Sequence, residues 1–148
     1  TAPCDWPVYE GRADVVLLEG WCIGCPPQAV TALSTPVNAL EFEEDADGTW
    51  RGAVNDALSG EYSALFTRLD KLVMLTAPSF AAIRAWRSQQ EYKLEAAAGS
   101  RMLDDSSLDR FIQHYERLTR HCLEVLPTRA DYLLLLDEGH NFCEARFT

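Results

Sequence analysis

Residues 70–80 read DKLVMLTAPSF, and this stretch decides the fold class. Residues 72–75 form a short, continuous apolar run, which is typical of a strand that is covered on both faces of a sheet. The tripeptide TAP interrupts the run, and Ser79 then offers the hydroxyl group of a helix N-cap. The stretch therefore predicts a buried strand that leads directly into a helix.

The same alternation of strands and helices continues on both sides. Apolar runs at residues 15–18 and 132–136 predict two further buried strands. Helical spacing of apolar residues predicts helices between these runs at about residues 50–69 and 106–126. Start and stop signals predict another at about residues 79–98, and a short helix is a further expectation at residues 38–44. Buried strands separated by helices predict an α/β fold with a parallel sheet and helices on both faces.

Several residues mark the ends or weak points of these helices. Gly60 interrupts the predicted helix at residues 50–69, and Gly99 ends the one that Ser79 begins. Ser106, with Asp109 three residues later, resembles a capping box at the start of the last helix. Pro127 ends that helix, because proline cannot continue it.

Composition restricts the kinds of partner that the chain can have. Its 148 residues are enough for one domain, and its formal net charge of −10 opposes binding to nucleic acid or to an anionic membrane. No apolar run approaches the roughly 20 residues of a transmembrane helix. Five cysteines, an odd number, and no secretory signal predict a cytoplasmic protein with reduced thiols. The oligomeric state is left open.

Glu19 follows directly on the apolar run at residues 15–18. In open parallel α/β sheets, ligands bind at the carboxyl ends of the strands. A carboxylate at that place suits Mg²⁺ held through water, or a base that removes a proton from an attacking hydroxyl group. The alternative is that Glu19 only marks the point where a strand meets solvent.

The predicted helix that begins near Ser79 carries Arg84, Arg87 and Glu91 on one face, at positions i, i+3 and i+7. Two guanidinium groups on one face could hold a phosphoryl group during its transfer, because their planar donors match phosphate oxygens. The alternative is a solvated face on which Arg87 and Glu91 form an ion pair.

The Cys22-x-x-Cys25 pair is a weak signal for a metal or a redox site. Zinc needs four ligands, and no second such pair is present. A redox pair normally begins a helix, whereas two prolines follow Cys25 at once. Two ordinary loop thiols are therefore the favoured interpretation.

Three further residues have both a structural and a functional interpretation. Trp21 could stack on a ligand, although packing is the simpler role. Asn55 lies on a helical stripe and is expected to be a buried hydrogen-bonding residue. His140 follows the last predicted strand and is expected at the surface.

Four segments together resemble the glycerate kinases of the plant chloroplast type and their bacterial and fungal relatives. In order from about residue 13 to residue 141, they are ADVVLLEGWCIG, VNDALSGEYSALFTRLDKLVMLTAPSF, AWRSQQEYKL and FIQHYERLTRHCLEVLPTRADYLLLLDEGHN. These enzymes belong to the P-loop kinase group, with uridine kinase, phosphoribulokinase and bacterial pantothenate kinase. The EGW tripeptide and the WRxQQE helix are the most specific parts of the resemblance.

The resemblance implies transfer of the γ-phosphate of ATP, with Mg²⁺, to a small hydroxylated acceptor. For the glycerate kinases the acceptor is D-glycerate and the product is 3-phosphoglycerate. Glu19 matches the carboxylate after the Walker B strand, which assists Mg²⁺ or the acceptor hydroxyl group. Arg84 and Arg87 match the helix that closes over the phosphates.

The same resemblance implies binding residues. Trp21 and the loop after it would lie beside the acceptor, and Asn55 is a second candidate for substrate binding. Residues 138–141, with His140 and Asn141, would lie near the adenine of ATP.

The chain departs from the family pattern at the phosphate-binding loop, since no GxxxxGK[ST] motif is present. We therefore expect residues 1–148 to be the C-terminal part of one P-loop kinase domain that lacks its first two strands, with an irregular lead-in at residues 1–13 and little activity alone. The absent first strand would lie between the strands at residues 15–18 and 72–75. The alternatives are a non-catalytic binding module derived from such a kinase, or the same chemistry on uridine or pantothenate.

Overall fold

The computed structural model describes residues 3–98 and 104–147. Its main elements are the helices α1 (Ala39–Glu44), α2 (Thr49–Ala57), α3 (Ser63–Phe66), α4 (Phe80–Ala98) and α5 (Asp105–Val125), and the strands β1 (Val73–Thr76), β2 (Tyr132–Leu136) and β3 (Phe142–Phe147). A π-helical turn, Leu58–Tyr62, joins α2 to α3. Short 3-10 turns occupy Pro3–Asp5, Val30–Ser34 and Leu126–Thr128. None of the helices in the described ranges is long and apolar enough to cross a membrane.

The three strands form a mixed sheet in the order β1-β2-β3. β1 and β2 are parallel, with Val73 opposite Tyr132, so the two predicted strands at residues 72–75 and 132–136 are confirmed as neighbours. β3 was not predicted, and it runs antiparallel to β2. A connection as short as residues 137–141 can only join antiparallel strands. The predicted parallel sheet is therefore confirmed only for β1 and β2, and the sheet as a whole is mixed.

The predicted strand at residues 15–18 is also wrong, because this segment has no regular secondary structure. Val15, Val16 and Leu17 are 77%, 81% and 92% exposed. A strand forms only where a neighbouring backbone satisfies its N–H and C=O groups, and no strand in the described part of the chain pairs with this segment. The outer edge of β1 likewise has no strand partner among the described residues.

The core covers one face of the sheet. Met74 of β1 and Leu133 of β2 lie opposite each other and are 8% and 7% exposed. They pack in one apolar cluster with residues of the π-helical turn, α5 and the 3-10 turn after α5, namely Leu58, Cys122 and Leu126. Val73 and Leu75 alternate with Met74 and are 50% and 65% exposed. The prediction of helices on both faces is therefore not confirmed, since this second face of β1 is largely open.

The helix ends follow local sequence signals with one correction. The hydroxyl group of Ser79 accepts a hydrogen bond from the Ala82 amide at 3.1 Å, which confirms the predicted N-cap. Gly60 lies within the π-helical turn, as expected for an interrupted helix. The last long helix is capped by Asp104, whose carboxylate accepts from the Ser107 amide at 2.7 Å, and not by Ser106. Gly99 lies outside the described residues.

Two buried arginines hold the loop at residues 28–35 against the helices. Arg51 pairs with Asp45 at 3.0 Å and donates to the Leu33 carbonyl at 2.6 Å. Arg117 of α5 pairs with Glu41 of α1 at 2.6 Å. Each arginine is less than one tenth exposed, so these are interior contacts that the sequence pattern did not indicate.

Candidate functional site

Glu19 lies in the irregular segment that leads to α1, and its side chain is exposed. The carboxylate makes no ion pair and no side-chain hydrogen bond with another residue in the described ranges. It is therefore free to bind a cation or to accept a proton. The structure does not place it at a strand end, because the predicted strand before it is absent.

Trp21 is fixed against α5. Its indole N–H donates to the Thr119 hydroxyl group at 2.9 Å. Its ring and that of Tyr115 are nearly perpendicular, at 75°, with the ring centroids 5.0 Å apart. These contacts leave Trp21 about half exposed, at 49%. The loop that follows Glu19 is thus held at a defined place on α5, with part of the indole ring still open to a ligand.

Both predicted phosphate-binding arginines of α4 form ion pairs. Arg84 contacts Asp109 of α5 at 2.6 Å. Arg87 contacts Glu91 at 2.5 Å, which is the i, i+4 pair of the structural alternative. Its guanidinium group also lies 5.1 Å from the ring centre of Phe111. The two arginines therefore have their charges compensated within the protein.

An aromatic stripe on α5 connects these residues. We define it as Phe111 and Tyr115, one helical turn apart, with ring centroids separated by 5.0 Å. Trp21 rests on one end of the stripe and Arg87 on the other. No motif in the sequence indicated a functional role for this stripe, although its i, i+4 aromatic spacing is a detectable signal.

His140 lies beside α4 at the carboxyl end of β2. Its ring centre is 4.1 Å from that of Trp86, and the Trp86 indole N–H donates to the Glu138 carbonyl at 2.7 Å. A cavity of about 410 Å³ opens here, lined by Ile83, Trp86, Arg87, Gln89, Gln90, Lys93 and His140. The structure thus brings together Arg87 and His140, two predicted site residues that are distant in sequence.

Asn141 shapes the turn between β2 and β3. Its backbone and side-chain amides donate to the Asp137 carboxylate at 2.8 Å and 3.0 Å. These hydrogen bonds, the side-chain bond first, lower the pKa of Asp137. Asn141 therefore holds the turn that carries His140, and a direct contact with a cofactor stays a prediction.

Asn55 is a buried hydrogen-bonding residue, as expected. Its side-chain oxygen accepts from the Gln28 amide at 2.7 Å, and its side-chain nitrogen donates to the Gln28 carbonyl at 3.1 Å. Both ends of the side chain are occupied by the loop backbone. A direct role of Asn55 in substrate binding stays a prediction.

The residues described fit only part of a site for Mg²⁺ and ATP. Within them, no group of three or more His, Cys, Asp or Glu side chains could hold a metal ion. Glu19 suits Mg²⁺ as a single ligand, because this ion commonly takes one or two protein carboxylates and completes its shell with phosphate oxygens and water. The chain offers no glycine-rich loop as a cradle for the phosphates.

No protein-family model matches the chain. The chain is 29% identical over 136 residues to the uncharacterized kinase mug58 of Schizosaccharomyces pombe, and this match covers 82% of the chain and 47% of that protein. The chain thus spans about half the length of this curated relative.

Two solved structures share the fold. One is the D-glycerate 3-kinase of Cryptococcus neoformans var. grubii, with a TM-score of 0.73 and 17% identity, over 95% of this chain and 52% of that one. The other is the YGR205w protein, with a TM-score of 0.56 and 23% identity, over 86% of this chain and 45% of that one. The resemblance to glycerate-kinase-like P-loop kinases is therefore confirmed at the level of fold, and the resemblance to a kinase at the level of sequence.

Proposed function

We propose that the chain is part of a small-molecule kinase that transfers a phosphoryl group from ATP to a small hydroxy acid. D-glycerate, which would become 3-phosphoglycerate, is the first candidate acceptor. The observation that carries the proposal is the likeness of 95% of the chain to a D-glycerate 3-kinase, with a TM-score of 0.73. The sequence likeness to a second kinase supports the same chemistry.

We further propose that the chain is the C-terminal part of a single P-loop kinase domain. Each of the relatives above is about twice as long as the region that it shares with this chain. The exposed apolar segment at residues 15–18 supports this proposal, and so does the edge of β1 that has no strand partner among the described residues. A strand inserted between them would satisfy the backbone groups of both.

In this proposal Glu19 orients Mg²⁺ or removes the proton from the acceptor hydroxyl group, and Trp21 borders the acceptor. ATP would supply the phosphoryl group, and Mg²⁺ would offset its negative charge. Arg84 and Arg87 would contact phosphate oxygens only after exchanging their bonds to Asp109 and Glu91. Such an exchange between ion pairs suits a helix that closes over a bound nucleotide.

The cavity between α4 and the β2–β3 turn supports a place for the adenine base. A planar base could stack on the paired rings of Trp86 and His140. The cavity volume of about 410 Å³ is in the range of small-molecule sites. Asn141 would act there through the shape of the turn.

The test is an ADP-release assay of the protein expressed from its full reading frame, with Mg²⁺, ATP and D-glycerate. We expect turnover, and we expect Glu19→Gln to lower kcat by about 100-fold or more if the carboxylate is the base. Glu61→Gln is the matched control, since Glu61 is also exposed and lies in the π-helical turn. Equal activity of the two variants would remove Glu19 from the site.

A parallel calorimetric titration of residues 1–148 with Mg²⁺ and ATP tests the incomplete domain. We expect no binding by this chain and binding by the full protein. Binding by residues 1–148 alone would show that the nucleotide site needs no further chain. Turnover with uridine or pantothenate in place of D-glycerate would keep the reaction and change the acceptor.

A non-catalytic binding module is the second candidate. The ion pairs of Arg84 with Asp109 and of Arg87 with Glu91 favour it, because they leave neither guanidinium group with an unbalanced charge. If the full protein does not bind ATP and does not release ADP with any of the three acceptors, this result would support the binding module and exclude the kinase.

A further inference from the structure

A cluster of three thiols lies where the loop after Trp21 packs on the C-terminal half of α5. Cys25 and Cys122 are 1% and 6% exposed and belong to the same apolar core cluster, and Cys22 packs against it. The Cys25 amide donates to the Cys22 carbonyl at 3.1 Å, so these two residues share one tight turn. All three are free thiols. The spacing of Cys22 and Cys25 gave no indication of this third cysteine.

Cys25 and Cys122 are chemically unequal members of one pair. The Cys25 thiol donates to the Pro26 carbonyl at 3.6 Å. The neighbouring Cys122 thiol lowers the pKa of Cys25 against the opposing effect of burial, and the positive charge of Arg129 adds to the lowering. The pKa of Cys122 is raised by its interaction with Cys25 and by burial. Burial also raises the pKa of Cys22. These shifts favour the thiolate, which is the reactive form, at Cys25 over Cys122.

Cys25 also borders a cavity of about 520 Å³. Leu72 and Asp131 line it just before β1 and β2 begin, so it lies at the opposite end of these strands from the cavity of Trp86 and His140. Arg129 lines it too and makes no ion pair with another described residue. A small uncharged oxidant that enters this cavity meets Cys25, whereas Cys22 and Cys122 do not line the cavity.

We propose that Cys25 and Cys122 are a redox-active pair, in which a hydroperoxide oxidises Cys25 and Cys122 then closes a disulfide. The Cys25 thiolate attacks one oxygen of hydrogen peroxide, the O–O bond breaks, and the released hydroxide takes up a proton to become water. Cys25 is then a sulfenic acid. The Cys122 sulfur attacks the Cys25 sulfur, the S–O bond breaks, and the Cys122 proton leaves with the hydroxide as a second water.

In the net reaction, the two thiols lose two hydrogen atoms and hydrogen peroxide is reduced to two waters. The new bond would join the loop that positions Trp21 to the helix that carries the aromatic stripe. The pair is independent of the proposed kinase chemistry, since it uses none of the residues assigned to that reaction.

The test treats the purified protein with hydrogen peroxide and maps its cysteines by intact-mass and peptide mass spectrometry. We expect loss of two hydrogen atoms, one crosslinked peptide pair joining Cys25 to Cys122, and full reversal by dithiothreitol. Replacing the exposed thiols in a Cys4→Ser/Cys143→Ser variant should leave this crosslink and its rate unchanged. This variant is the matched control.

Two single variants separate the roles of the thiols. In Cys122→Ser we expect oxidation to stop at the sulfenic acid, which dimedone labels at Cys25. In Cys25→Ser we expect loss of the crosslink and no dimedone label at Cys122. The map of the unmodified chain decides the matter if either variant does not fold. A crosslink from Cys22 to Cys25, or oxidation of Cys4 and Cys143 with Cys25 left untouched, would overturn the proposal.

Discussion

Replacing Arg117 with methionine should destabilise the fold strongly. Its guanidinium group donates to both carboxylate oxygens of Glu41, at 2.7 Å and 2.6 Å. It also donates to the carbonyls of Ala32 and Thr35, at 3.1 Å and 2.7 Å. The side chains of Arg117 and Glu41 are only 8% and 12% exposed. One residue of α5 thus holds both α1 and the loop at residues 28–35.

The expected loss follows from the charge that remains behind. Without Arg117, the Glu41 carboxylate stays largely buried with no cation beside it. Removing one partner of a buried pair typically costs about 3–5 kcal/mol. That is a large share of the roughly 5–15 kcal/mol by which a domain is stable. Removing both charges, in Arg117→Met with Glu41→Leu, should recover part of the loss because no uncompensated charge is then buried.

Urea unfolding followed by far-UV circular dichroism measures this effect. With a slope of about 2 kcal/mol per molar urea, the midpoint of Arg117→Met should fall by about 2 M. Arg110→Met is the matched control, because Arg110 also joins α5 to α1, through Glu44, but at the surface. We expect a much smaller shift there, since exposed pairs contribute little. Equal shifts of the two variants would refute the reasoning from burial.

Three further predictions concern pH and local contacts. Burial opposes ionisation of Glu41, yet the hydrogen bonds from Arg117 and from a backbone amide lower its pKa. Its contribution to stability is therefore present above the ordinary glutamate pKa of 4.5 and is lost as the pH falls through the lower folded value. Glu41→Gln has no such group, so its urea midpoint should depend less steeply on pH in acid than the midpoint of the unmodified protein. Trp21→Phe keeps an aromatic ring but loses the indole N–H donor. Its free energy of unfolding, measured in urea, should be lower by about 0.5–1.5 kcal/mol. Asp104→Ala removes the N-cap of α5 and should lower the free energy of unfolding by about 1 kcal/mol. Thermal unfolding should show a smaller loss of stability for Ser106→Ala.

Local sequence signals identified the elements that depend on neighbours close in the chain. The apolar run at residues 72–75 became β1, and Ser79 became an N-cap because its hydroxyl group bonds the amide three residues later. Asn55 was expected to be buried and hydrogen-bonded because it lies on a helical apolar stripe. The α5 cap was misplaced by two residues, since Ser106 and Asp104 are both good capping residues and only the backbone geometry separates them.

The sequence pattern could not predict contacts between residues that are far apart in the chain. The apolar run at residues 15–18 has the composition of a strand, yet strand formation needs a partner backbone that the described chain does not supply. The candidate site depended on the same kind of contact. Arg84 and Arg87 share a helical face, as predicted, but the partner of Arg84 is on α5.

The sequence by itself determined the mixed α/β class, which rests on the local periodicity of strands and helices. It also carried the resemblance to glycerate-kinase-like kinases, which rests on the residues of the matched segments. The tertiary structure alone decided which residues meet: Trp21 and Arg87 on the aromatic stripe, His140 on Trp86, and Cys25 and Cys122 in one apolar cluster. The physical reason is that these contacts are set by how α4 and α5 pack on each other, on the sheet and on the loop after Glu19. Such packing depends on the shapes and charges of surfaces that come from distant parts of the chain.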